Sequence, residues 1–130
     1  MFLKLDDYFV PPNTPIRIPV LNGTFGESEN AIARPRVADI SLVAPAGTEH
    51  PDTTALTAQG DTSQLTVRTA EPGTYVVGLS TRPNEITIAG ADFNQYLREE
   101  AITGVLEART RGGELDRPAR ERYAKHVKAV

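Results

Sequence analysis

The sequence reads as a mainly β protein: one two-layer sandwich of about seven strands, followed by a helical segment toward the C-terminal end. Three observations carry that expectation. Short runs with apolar residues at every second position recur through the first ninety residues, each bounded by Pro, Gly, Asn or Asp. Residues 71–79, Glu-Pro-Gly-Thr-Tyr-Val-Val-Gly-Leu, lead a tight turn straight into such a run with a tyrosine at its start. Beyond residue 91 the apolar spacing lengthens to that of a helix.

Taken in order, residues 2–10 alternate well enough for a strand that Pro11-Pro12-Asn13 stops. Residues 15–21 are extended, with Ile16, Ile18 and Val20 on one face and Pro19 suited to an edge. Asn22-Gly23 turns the chain, and residues 24–36, rich in Gly, Ser, Glu and Asn, read as a surface loop. In residues 37–43, Val37, Asp39, Ser41 and Val43 share one face while Ala38, Ile40 and Leu42 share the other. Residues 53–58 and 64–69 give two further strands separated by Gly60-Asp61. Residues 74–81 place Tyr75, Val77 and Leu79 on one face, and Ile86 and Ile88 mark a last short strand over 85–89. About seven strands punctuated in this way are the pattern of an immunoglobulin-like sandwich, with Tyr75 as the tyrosine that ties down a corner.

Asp92 is the expected N-cap of a helix running to about Arg109, with Phe93, Tyr96, Leu97, Val105 and Leu106 at helical spacing. Asp116-Arg117-Pro118 could open a second helix, and residues 123–130 fit either its continuation or the first half of another strand with Val127 buried. The expected organisation is a sandwich over 1–90, a helical excursion packed on it over 91–125, and the start of a truncated element over 126–130.

Size and composition narrow the function. At 130 residues there is room for one ordinary core. A net charge of −3 disfavours nucleic acid as a partner. The absence of cysteine excludes disulfides, thiolate metal sites and a cysteine nucleophile. No apolar run approaches the roughly twenty residues that span a bilayer, so the chain is not expected to be membrane-spanning. The strand-like start at residues 1–10 reads as the beginning of a mature or truncated product rather than as a signal peptide.

Candidate chemistry is thin. Asp6 and Asp7 are adjacent and would point to opposite faces of a strand. His50 and Asp52 form a His-x-Asp pair in a polar loop, the one candidate for metal ligation, although a capping aspartate explains Asp52 equally well. His126 lies between Lys125 and Lys128, which disfavours a bound cation. No serine sits in a Gly-x-Ser-x-Gly elbow, and neither histidine has an evident triad partner. The chain therefore reads as a non-enzyme. Arg109, Arg111, Arg117, Arg120 and Arg122 alternate with Glu107, Glu114, Asp116 and Glu121, a pattern of local ion pairs.

Four segments in matching order resemble the NikM-like family of bacterial periplasmic or secreted domains. They are Phe-Leu-Lys-Leu-Asp-Asp-Tyr-Phe at 2–9, Ala-Glu-Pro-Gly-Thr-Tyr-Val-Val-Gly at 70–78, Asp-Phe-Asn-Gln-Tyr-Leu-Arg-Glu-Glu at 92–100, and Arg-Glu-Arg-Tyr-Ala-Lys-His-Val-Lys-Ala at 120–129. The resemblance implies a periplasmic or secreted component of nickel or cobalt uptake, with a divalent metal ion as ligand and a membrane transporter or envelope protein as partner. An adaptor that contacts such a partner through its helical segment is the alternative. Members usually carry a signal peptide and a His-Asp pair before the first strand, and they continue past the position matching Val130. The chain thus looks like the front half of such a protein, and no residue here inherits that histidine's role.

Overall fold

The computed structural model describes residues 1–130, with strands taking up 41% of them and helices 19%, so the protein is mainly β. It divides into two compact units, one formed by Met1–Arg82 with Ala124–Val130, the other by Pro83–Tyr123.

The first unit holds two four-stranded sheets. In one, β1 (Phe2–Leu3), β2 (Pro15–Leu21), β6 (Thr62–Arg68) and β5 (Leu56–Gln59) lie side by side in that order. In the other the order is β10 (His126–Ala129), β7 (Val76–Thr81), β3 (Val37–Ala44) and β4 (Gly47–Glu49), and every ladder is antiparallel. Alternation decides which side chains go inside. Leu3, Ile18, Val20, Leu56, Leu65 and Val67 of the first sheet and Val37, Ile40, Leu42, Val77 and Leu79 of the second form one buried cluster. Polar Thr66 and Arg68 turn outward between them.

Several elements depart from the sequence expectation, each for an identifiable reason. The first strand ends at Leu3 rather than running to Val10; the Asp7 carboxylate accepts the Phe9 N–H at 2.8 Å and bends the chain out of the ladder. Val37 was expected beside Asp39 and Val43, yet it is buried with Ile40 and Leu42. A register irregularity between Val37 and Asp39 lets one extra residue turn the strand over. Of the two readings open for residues 123–130, the strand is the one found over 126–129: they pair with β7 over their length, Val127, half-buried, opposite Leu79 and Ala129 opposite Val77. The Thr81 N–H donates to the Lys125 carbonyl at 2.9 Å, so the positions where the chain leaves this unit and where it returns are neighbours on one ladder.

The second unit consists of α1 (Gly90–Glu99), α2 (Thr103–Arg111) and a ribbon of β8 (Asn84–Ile88) with β9 (Ala119–Tyr123). The strand over 84–88, assigned to the sandwich from sequence, belongs with the helices because its ladder partner is β9. The single helix expected over 92–109 is two. Ala101 adopts a φ of 56° and the Ile102 N–H reaches back to the Leu97 carbonyl, which closes α1. Asp92 is not the cap but lies in the first turn of a helix starting at Gly90, where its charge still suits the positive end. The helix expected from Asp116 is replaced by β9, whose residues alternate in exposure along the ribbon.

This unit is held by polar contacts as much as by apolar ones. Arg109 is buried, donating from Nε to Asn94 Oδ1 at 2.9 Å and from Nη2 to the carbonyls of Glu114 and Arg117. Its guanidinium carbon lies 5.1 Å from the Phe93 ring centre. Asn94 in turn donates to the Leu115 carbonyl, and Gly90 leaves room for that same turn, since a Cβ there would lie 2.5 Å from the Leu115 oxygen.

Candidate functional site: an apolar cleft at the open sheet edge

The first unit carries a cleft of about 460 Å³ where the two sheets part. Ile16 and Ile18 of β2 form one wall; Val77 of β7 and Ala129 of β10 form the other. Residues 5–12 and the turn over 71–75 frame the mouth. The cleft exists because β1 is short. After Leu3 the last backbone bond to β2 is from the Lys4 N–H to the Pro19 carbonyl, and the chain then swings away. The Ile16–Ile18 stretch of β2 is thus left without a strand on that side, while β10 is the outermost strand of the other sheet.

Each frame is fixed by a small polar cluster. Thr69, itself buried, donates its hydroxyl hydrogen toward the Pro11 and Thr14 carbonyls at 3.0 and 3.2 Å and accepts the Thr14 N–H at 3.1 Å. Asn13, at a φ of 56°, hands its N–H to the Ala70 carbonyl. Across the mouth the Tyr75 hydroxyl donates to the Glu71 carbonyl at 2.6 Å and accepts the Ala70 N–H at 2.9 Å. That is a tyrosine pinning its own upstream corner, as expected from residues 71–79. Replacing Tyr75 by Phe keeps the ring and removes both bonds, at an expected cost of about 1–2 kcal/mol. Urea unfolding would register this as a lower midpoint with an unchanged slope.

Aromatic side chains stand at the rim. Phe9 is 91% exposed and Tyr8 52%. The two rings extend the apolar lining of the recess out to its rim. A second recess, of about 500 Å³, adjoins the first and shares Tyr8, Ala129 and Val130 with it. It is lined by Phe2 and Phe25, whose rings meet edge to face at 5.4 Å, with Lys4 Nζ 5.3 Å from the Phe25 ring centre. The two recesses together follow β10 along its outer side.

The surroundings carry both signs, with Asp6, Asp7 and Glu71 in the segments that frame the mouth. Lys4, Lys125 and Lys128 lie within residues 1–5 and 124–130, which contain no Asp or Glu. Burial, and then the neighbouring Lys125, holds the Met1 α-amino group below its ordinary value. Lys125 Nζ donates to Asn22 Oδ1 at 2.9 Å.

The residues singled out from sequence lie elsewhere. His50 and Asp52 do not converge. Asp52 accepts the Thr54 N–H at 2.8 Å and caps a short 3-10 turn, while His50 Nδ1 lies 2.7 Å from Asp39 Oδ1 on β3. Asp39 pairs across the ladder with Ser80, and the Ser80 hydroxyl meets His126 Nδ1 at 2.9 Å. These two pairs align across three strands, but the aspartate orients one histidine and the serine contacts the other. That is not the relay of a nucleophile, its base and the base's own carboxylate. Both members of the His50–Asp39 pair are largely exposed, 62% and 46%, and no three His, Cys, Asp or Glu side chains come together as metal ligands. No helix is long and apolar enough to cross a membrane.

Comparison with protein-family models, with curated proteins and with solved structures finds no match.

Proposed function

We propose that this protein is a non-catalytic binding module of the bacterial cell envelope, with an immunoglobulin-like fold, that holds a partner protein at the cleft beside β10. The carrying observation is the cleft itself: interior residues of both sheets reach it, and an almost fully exposed phenylalanine stands at its rim. The fold reading is supported by the strand orders, in which β1-β2-β6-β5 matches a sheet of A-B-E-D type and β10-β7-β3 one of G-F-C type. The corner bonds of Tyr75, at the turn from the strand read as E to the strand read as F, support it further. On that reading the second unit is an insertion between strands F and G. The compartment, and nickel or cobalt uptake as the process served, rest on the resemblance of residues 2–9, 70–78, 92–100 and 120–129 to the NikM-like family. In this role the chain is an accessory of a transporter or envelope partner, and the metal is that partner's cargo.

Two titrations test the proposal. The environment-sensitive apolar dye bis-ANS should bind with enhanced fluorescence, and Phe9→Ser, an exposed change that leaves the core intact, should lower that signal several-fold. Nickel, cobalt and zinc should give no calorimetric binding tighter than about 1 μM. A dye signal insensitive to Phe9→Ser would remove the cleft from consideration. Metal binding tighter than that limit and lost in His50→Ala would instead make the polar loop a metal site.

A further inference from the structure

Resting on the cleft reading above, we infer that the part of the partner entering the cleft is a single hydrocarbon chain, an acyl group whose attached polypeptide stays in water at the mouth. Three observations define that chemistry.

The first is the hydrogen-bonding state of the lining. Tyr8, Glu71 and Thr74 are exposed and belong to the mouth, which leaves Thr69 and Tyr75 as the polar side chains set deeper among the apolar walls. The Thr69 hydroxyl is committed to the Pro11 and Thr14 carbonyls and the Thr14 N–H, and the Tyr75 hydroxyl to the Glu71 carbonyl and the Ala70 N–H. Pro11, Pro12 and Pro72 in the frame have no N–H to give. Among buried side-chain nitrogens and oxygens only Gln64 Oε1 lacks a partner, and Gln64 is not part of the lining. A polar group drawn inside would lose its water without a replacement bond, so the inserted part is hydrocarbon.

The second is the lack of a pairing edge on either wall. The Lys4 N–H reaches the Pro19 carbonyl, so the odd-numbered residues of β2 turn their peptide groups toward the side that β1 vacates. Those are Pro15, Arg17 and Pro19, of which only Arg17 has an N–H. On the opposite wall β1 packs beside β10, and Met1 and Leu3 share the adjoining recess with Val127 and Ala129. An extended peptide laid in the cleft would leave its own backbone groups unpaired, whereas an alkyl chain has none to satisfy.

The third is size together with charge. A volume of about 460 Å³ corresponds to on the order of fifteen groups of the size of a water molecule. That exceeds any single apolar side chain, and a second side chain would bring polar backbone with it. One chain of about ten to fourteen carbons fills the space. The surrounding segments carry Lys4, Lys125 and Lys128 together with Asp6, Asp7 and Glu71, which selects neither sign in what remains outside.

The probe is the peptide Gly-Ser-Gly-Ser-amide bearing an acetyl, hexanoyl, decanoyl, tetradecanoyl or octadecanoyl group, read by displacement of bis-ANS. The acetyl form should displace no dye at about 1 mM. From hexanoyl to decanoyl the Kd should fall by up to about fourfold per methylene, then level off between tetradecanoyl and octadecanoyl as the cleft fills. Glu or Lys in place of both serines should change it by less than about threefold. Methyl resonances of Ile16, Ile18, Val77 and Ala129 should shift on binding of the decanoyl peptide. Ala129→Phe, which narrows the cleft, should move the levelling-off to shorter chains. Binding indifferent to chain length would overturn the inference, as would a gain that continues unabated through octadecanoyl, or shifts confined to other residues. Decyl glucoside binding tenfold tighter than the decanoyl peptide would assign the cleft to a free amphiphile and overturn it too. Absence of displacement while bis-ANS still occupies the cleft rejects the acyl chain and leaves the cleft reading standing; loss of the dye signal in the same protein sinks both.

Discussion

Leu65→Ala is expected to cost the first unit about 2–5 kcal/mol, the range for removing a fully buried leucine from a packed core. Leu65 is 0% exposed and sits at the centre of its sheet, opposite Ile18 on β2 and Leu56 on β5. Its side chain therefore has buried neighbours on both flanks, and the second sheet's Ile40 and Leu79 belong to the same cluster. The ladders on either side hold the backbone in place, so the void cannot close by a local shift. The cost should lie toward the upper part of the range. Urea unfolding followed by circular dichroism would measure it; a loss below about 1 kcal/mol would mean that the cluster is loosely packed.

Arg109→Ala should act on the second unit. The guanidinium satisfies Asn94 Oδ1 and two carbonyls without a carboxylate partner; its removal leaves Asn94 Oδ1 and the Arg117 carbonyl unmet, while the Glu114 carbonyl keeps the Arg117 N–H. At about 1–3 kcal/mol for each buried acceptor deprived of its donor, partly relieved by entering water, a total of about 3 kcal/mol is expected. A lysine cannot reproduce the fork that spans Asn94 and the turn over 114–117, so Arg109→Lys should rescue little. Hydrogen exchange gives the decisive readout: amides of α1, α2 and the β8–β9 ribbon should lose protection while those of β3 and β7 keep theirs. Uniform loss throughout the chain would show that the two units unfold as one.

Why some of this was legible in the sequence and some was not follows from how far the responsible contacts reach. The turn over 71–75 and its tyrosine are local, and so were predictable: the hydroxyl bonds residues four and five positions upstream. Strands such as β6, where Leu65 and Val67 alternate with Thr66 and Arg68, announce themselves by period alone. Val37 was misread because one irregular residue inverts a two-residue period, and no composition marks the position. The ribbon partner of β8 lies beyond two helices, out of range of any local pattern. Arg120-Glu121-Arg122 suited a solvated helix and an exposed strand equally well. The cleft is harder still, joining residues near 10, 18, 77 and 129. One signal was available within the segment taken as a single alternating strand: the period fails at Tyr8-Phe9-Val10 before Pro11-Pro12, three consecutive apolar residues that a half-buried strand does not need. The partners of both histidines, Asp39 and Ser80, likewise come from other strands.

The adjacency of Thr81 and Lys125 has a consequence for how such a molecule can change over time. A polypeptide that departs and comes back through adjoining doorways asks nothing of its host about the length of the journey. Whatever lies between Arg82 and Ala124 can grow, shrink or be exchanged while the host keeps its interior, since β7 and β10 would be joined equally well by a tight hairpin. Selection can therefore work on the excursion and on the cleft as separate inheritances.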